Sequence, residues 1–212
     1  MMMRHIVPGV CLALLASPAT QASTLGVRVV GADGRPAKDV VVTLRLTGKT
    51  GPAARAQQDS AQVVQRNTQF QPFISVVPVG TNVSFPNQDP FKHHVYSFSP
   101  AKRFELKLFA KDQARSVLFD RPGVIAIGCN IHDNMVAYIY VTDTLWTGRT
   151  DANGQVSFGD VPAQAVELSV WHPNLAAPAN VVTKQISLGA ANRVETVPVK
   201  FRPAALRNTG GY

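Results

Sequence analysis

Cys129, His132 and Met135 fall at three-residue steps in the run Gly128-Cys129-Asn130-Ile131-His132-Asp133-Asn134-Met135. A thiolate, an imidazole and a thioether in one short loop are the donors a copper ion asks for. A second imidazole is available from the pair His93-His94, about one sheet crossing upstream. Two histidines, a cysteine and a weak axial methionine make the ligand set of a copper centre that passes single electrons.

Cys129 is unusual because of where the chain is expected to reside. Residues 1–22 have a basic start (Arg4, His5), a short apolar stretch from Ile6 to Ala16 and a small-residue exit at Thr20-Gln21-Ala22. That pattern is a secretory signal, with cleavage expected after Ala22 and release into the periplasm as a soluble protein. The apolar run is too short to span a bilayer, and no later segment approaches the ~20 apolar residues required. Cys11 lies inside the signal and follows Val10 rather than a small residue, which argues against a lipid anchor. In an oxidising compartment cysteines pair, so a thiol left alone in the mature chain has a special role or an intermolecular partner. A lone cysteine can also be plain packing, and it is the spacing of His132 and Met135 that favours a metal.

Charged residues are scarce, at 16% of the chain, while Gly and Pro, 15 of each, are frequent, a composition that fits a globular β-rich protein. Without Arg4, 20 Lys and Arg face 13 Asp and Glu, a net charge near +7. The excess is spread along the chain with no basic run or interleaved aromatics, which excludes a nucleic-acid surface.

The elements that must position the donors read as strands throughout. Leu25–Val30 and Val40–Leu46 are two strands joined by the polar loop Gly31-Ala-Asp-Gly-Arg-Pro36. Thr47 to Ser60 reads as a linker. A second series begins at Val63. Ile74 to Phe85 has the rhythm of two strands around a tight turn, followed by His93–Phe98, Phe104–Leu108, Ser116–Phe119, Val124–Cys129 and Val136–Val141. After Asp143, Thr150-Asp-Ala-Asn-Gly-Gln-Val-Ser-Phe158 is a turn feeding a strand, and Val166–Trp171 and Val194–Phe201 supply two more. Residues 204–212 read as a frayed tail.

Residues 62 to 143 resemble the cupredoxins, the small blue-copper proteins, and amicyanin and plastocyanin in particular. The resemblance rests on Ile74-Ser-Val, on Val79-Gly-Thr-Asn-Val-Ser-Phe-Pro-Asn87, on His93-His94-Val95 and on Gly123 through Met135, whose Cys129-x-x-His132-x-x-Met135 loop has the short amicyanin-like length. The segment is also similar to plastocyanin-like proteins assigned to methylamine utilization. The resemblance implies one type 1 copper ion held by His93, Cys129, His132 and Met135. It also implies single-electron transfer rather than enzyme catalysis, with the His132 edge as the electron port. A cytochrome or dehydrogenase would dock there, beside Pro90, Phe91 and Ile131. His94 stands where the family has an asparagine that ties the two ligand loops. It remains an alternative ligand, because period two puts His94, Tyr96 and Phe98 on one face and His93, Val95 and Ser97 on the other.

The flanks tell a second story. Gly31 through Leu44 resembles the first hairpin of carboxypeptidase-regulatory-like β-sandwiches, and Thr150 through Pro162 resembles the middle of the same module. The expected fold is therefore all-β, a cupredoxin Greek-key β-sandwich with a second, smaller β-sandwich formed by the flanking segments. The expected divisions are a signal at 1–22, first regulatory-like strands and linker at 23–61, the cupredoxin domain at 62–143, the rest of the regulatory-like sandwich at 144–203 and the tail. Joins at Thr47–Ser60 and Asp143–Thr147 are tolerable, since lengthening a loop adds little closure entropy. The opposing layout is one enlarged cupredoxin with extra strands decorating a sheet.

Two functions follow for an exported copper protein: electron shuttling between redox partners, or copper delivery and tolerance. A structural adhesion-type sandwich is the third reading. Asn87 braces or turns the loop ahead of His93. His172 reads as a surface or strand-end histidine, and Asp151, Asn153 and Gly154 as a β-turn lacking the acidic ligands of a calcium loop. No phosphate loop, serine elbow or carboxylate pair is present, so no catalytic residue is expected.

Overall fold

The computed structural model describes residues 22–48 and 61–203. The signal segment through Gln21, most of the linker and the tail from Ala204 lie outside them. Strands dominate because β-branched and aromatic residues alternate with polar ones along much of the chain, so that many strands bury one face. Strand β1 (Ala22–Gly31) buries Leu25, Val27 and Val29, and β6 (Thr81–Pro86) buries Thr81, Val83 and Phe85.

The flanking segments build two sheets. One has the order β13 (Gln155–Pro162), β1, β16 (Arg193–Val199), with β1 and β16 parallel. The other has the order β12 (Thr147–Arg149), β2 (Val41–Leu46), β14 (Ala165–Trp171), β15 (Val181–Ser187). Leu25, Val42, Leu44, Phe158, Leu168 and Val197 are among the residues that fill the space between them. Strands β1 and β2 therefore belong to opposite sheets. The first-hairpin expectation is corrected here: the loop at Gly31–Pro36 carries the chain across the sandwich instead of pairing its two strands.

The intervening segment forms a second sandwich. Its main sheet runs β5 (Ile74–Pro78), β11 (Val136–Thr142), β10 (Gly123–Gly128), β7 (His93–Ser99), β8 (Lys102–Phe109). Facing it are the pair β6 and β9 (Ala114–Phe119) and the hairpin β3 (Val64–Arg66) and β4 (Gln69–Gln71). Phe85, Phe119, Ile125, Ile127, Ile139 and Cys129 share this second core. The tight turn at Val79-Gly80 switches sheets, for β5 pairs with β11 while β6 pairs with β9.

The run Val40-Val-Val42 is continuously apolar because β2 is buried on both faces. Val40 and Val42 point into the first core, while Val41 joins Trp171 against Ile74, Tyr138 and Tyr140 of the second sandwich. Tyr138 and Tyr140 each lie 5.7 Å from the Trp171 ring, and the Arg149 guanidinium donates to the Ile74 carbonyl at 2.8 Å. On the second sandwich this contact is made by β5, β10 and β11, through Ile74, Val124, Tyr138 and Tyr140.

Candidate metal centre

His93 opens β7, and Cys129 follows β10 on the neighbouring strand. The loop from Cys129 to Met135 is closed by its own backbone: Met135 N–H donates to the His132 carbonyl at 2.9 Å, and Cys129 N–H donates to the Met135 carbonyl at 3.2 Å. These bonds fold seven residues into a compact turn that carries His132 back over Cys129.

The ring Nδ1 of His93 lies 3.8 Å from Cys129 Sγ, and the Nδ1 of His132 lies 3.7 Å from the same sulfur. All three donors fall within 4.8 Å of one another. Bond lengths of ~2.3 Å to sulfur and ~2.0 Å to nitrogen, at a trigonal angle of roughly 120°, separate two donors on one metal by about 3.7 Å. The spacing is that of ligands arranged around a shared ion. Burial and the neighbouring His93 push the His132 imidazole below its ordinary value, against an opposing pull from Asp89. A neutral ring keeps a lone pair to donate. Met135 is buried in the core that contains Cys129.

The two adjacent histidines part company. His94 turns away from the thiol, and its Nε2 meets Glu105 Oε1 at 2.9 Å. His93 is fully buried, and its far nitrogen, Nε2, meets Asp89 Oδ2 at 2.7 Å. That bond aims Nδ1 at the sulfur, as a carboxylate behind a metal-bound imidazole does. Asp89 also accepts from the Asn67 N–H at 2.6 Å and the Thr68 N–H at 3.0 Å. Burial raises its carboxyl, but these three bonds outweigh burial and hold it below the usual carboxylate value. Reading the sequence did not single out Asp89. The signal available was an acid four residues before His93 in a loop otherwise short of charge.

Asn87 is the brace of that loop. Its amide donates to the carbonyls of Phe91 at 2.8 Å and Phe109 at 3.1 Å, and its Oδ1 accepts from the Asp89 N–H at 2.9 Å. Phe91 leans on both imidazoles, 5.2 Å from His93 and 5.5 Å from His132 by ring centroids. Phe91 is 43% exposed and Ile131 52%, and with exposed Pro90 they form an apolar rim around the half-buried His132.

His172 is the strand-end histidine of the two expected readings rather than a surface one, following the last residue of β14. It is half-buried between Phe73 and Phe201, with ring centroids 6.4 Å and 5.2 Å away. Asp151 forms the expected turn, its Oδ1 accepting from the N–H groups of Asn153 and Gln155.

No protein-family model matches the chain, and no curated protein sequence matches it. Solved structures do. A purple cupredoxin from Nitrosopumilus maritimus is 23% identical over 39% of this chain and all of its own, with a TM-score of 0.36. A Cu(I) amicyanin variant is 19% identical over 47% of this chain and 97% of its own, with a TM-score of 0.37. A copper-containing nitrite reductase from Thermus scotoductus is 20% identical over 55% of this chain but only 28% of its own, with a TM-score of 0.40.

Proposed function

We propose that this protein is an exported, periplasmic carrier of single electrons. His93, Cys129 and His132 would hold one copper ion, with Met135 as a weak axial donor. The observation that carries the reading is the pair of sulfur–nitrogen separations, 3.8 and 3.7 Å, which match two ligands on one metal. Copper in such a donor set supplies a one-electron couple.

The chain's own residues do the rest. Cys129 offers the sulfur from a buried position, with two imidazoles beside it. Asp89 fixes one imidazole and the backbone-closed loop fixes the other, so neither has far to move when the charge at the centre changes. Phe91 and Ile131 keep water from the half-buried His132 and offer a redox partner, a cytochrome or dehydrogenase, an apolar landing place. Met135, buried in the same core as Cys129, would supply the weak further donor, and a position so filled would favour electron transfer over enzyme chemistry. The same reading assigns residues 62–143 to the copper domain, inserted after the second strand of the flanking sandwich. Among the described residues no helix is long and apolar enough to cross a membrane.

The test is copper loading of the purified mature chain. An intense thiolate-to-copper absorption in the visible that vanishes in Cys129→Ser supports the proposal. A colourless loaded protein, or a band that survives Cys129→Ser, overturns it. A coloured but readily exchanged site, with growth lost only under copper stress, would move the function to copper handling.

A further inference from the structure

The hairpin β3–β4 ends in a two-residue turn, Asn67-Thr68, between the paired residues Arg66 and Gln69. Both turn residues have positive φ, 54° and 56°. Two-residue hairpin turns ask for that conformation and normally meet it with Asn-Gly. A β-branched threonine in the left-handed region is a genuine outlier, and such placements persist where surrounding structure over-determines them. Here the over-determining contact is visible: the N–H groups of Asn67 and Thr68 both point at the Asp89 carboxylate, at 2.6 and 3.0 Å. The same carboxylate receives His93 Nε2 at 2.7 Å. Asn67 is exposed, whereas Asp89 and His93 are buried.

We infer that the Asn67-Thr68 turn is a positioning device for His93, acting through Asp89 to set both the aim and the donor strength of that imidazole. The inference rests on the copper reading above. Each carboxylate oxygen has a job: Oδ1 takes the Asn67 N–H, and Oδ2 takes Thr68 and His93. Peptide donors hold the carboxylate in one orientation. An oriented carboxylate raises the basicity of the imidazole it accepts from. A stronger imidazole donor would favour the more highly charged oxidation state and lower the potential. The rest of the hairpin is tied down independently, since Gln88 N–H donates to the Gln65 carbonyl at 2.9 Å and Gln65 Nε2 donates to the Phe85 carbonyl at 3.2 Å. The turn can thus be disturbed without freeing its strands, and a partner that pressed on it would be felt at the metal.

Thr68→Pro removes one N–H and cannot adopt a φ of +56°, so it detaches the turn. Asp89→Asn keeps the shape but sets an amide against the peptide donors. Both variants are expected to weaken copper affinity about 10–100-fold and to raise the potential, whereas Thr68→Gly, which retains the donor, should leave both unchanged. In the Cu(I)-loaded protein the Asn67 and Thr68 amide resonances should differ from those of the apo protein, and Asp89→Asn should erase that difference. A Thr68→Pro protein that melts earlier but keeps the wild-type affinity and potential would reduce the turn to a structural detail and overturn the inference. Should the wild-type protein take up no copper, the proposed function fails by itself. The device is then read in the metal-free protein, where amide exchange at Asn67 and Thr68 must accelerate at least tenfold in Asp89→Asn; unchanged exchange overturns it.

Discussion

The ring of Tyr96 fills the space that a side chain on Gly128 would need: a Cβ built there would come 3.1 Å from the ring carbon and hydroxyl of Tyr96. The two residues are cross-strand partners of β10 and β7. Gly128 precedes Cys129, and Tyr96 lies three residues beyond His93 on the same strand. A side chain at 128 therefore crowds the Tyr96 ring between the two strands that bring the thiol and the buried imidazole together. Gly128→Ala should cost about 1–3 kcal/mol through overpacking, read as a lower thermal midpoint. In a Tyr96→Ala background the same change should cost little, because the obstructing ring is gone. Additive costs in the double mutant would show that the crowding lies elsewhere.

His93 and His94 should respond oppositely to truncation. His93→Ala removes a metal donor and strips the buried Asp89 of one of its three partners. Copper binding and the visible band are expected to disappear. His94→Ala breaks a contact with Glu105, a side chain 59% exposed, and such pairs contribute at most about 1 kcal/mol. Copper should stay, with some stability lost from the buried ring. Titration of each variant with copper, followed by absorption, separates them; retention in His93→Ala with loss in His94→Ala would reverse the assignment.

The sequence showed the strands and the candidate metal loop more readily than the partners those elements choose. Strands that bury alternate residues, such as β1 and β6, carry their period in their own residues. β12 has three residues with a central glycine, and the edge strand β15 leaves most of Val181–Ser187 at least partly exposed, so neither shows a period. The loop at Gly31–Pro36 has the residues of a hairpin turn, yet it crosses between sheets, because which strand lies beside β1 is decided by Val156 and Val197, more than a hundred residues away. At the site, Cys129, His132 and Met135 are legible because one short loop holds them. Period two leans slightly toward His94, yet it is His93 that faces the thiol; a register shift between β7 and β8 at His93–Val95 disturbs the alternation on which that lean rests. Asp89 was hidden for another reason: the Asn67 and Thr68 donors that give it meaning come from a separate hairpin.

His172 makes the joint between the sandwiches sensitive to acid. Burial pushes its imidazole below the ordinary value, with Asp39 pulling weakly the other way. The unfolded chain, with a histidine near its usual ~6.5, binds the proton more readily than the native state. Stability from this group is therefore complete above about pH 6.5 and declines as pH falls toward the depressed native value. His172→Phe should flatten the pH dependence of the denaturation midpoint between about pH 7 and 5 while keeping the aromatic packing with Phe73 and Phe201. An equally steep dependence in the variant would assign the acid sensitivity to other groups.

Met135→Leu tests how strongly the axial position matters. Met135 is buried beside Cys129, and leucine nearly conserves its volume, so the fold should lose less than about 1.5 kcal/mol. Cys129, His93 and His132 remain, and their mutual spacing is set by Asp89 and by backbone bonds that involve Met135 only through its peptide group. Copper is expected to stay bound. Removing the thioether withdraws electron density from the ion, and the more highly charged oxidation state suffers more, so the potential should rise. A tenfold change in the relative affinity for the two states corresponds to about 59 mV for one electron, which sets the scale of the expected shift. Voltammetry of the loaded variant measures it directly. Loss of all copper would mean that the sulfur is a principal ligand, and an unchanged potential would mean that it is no ligand at all.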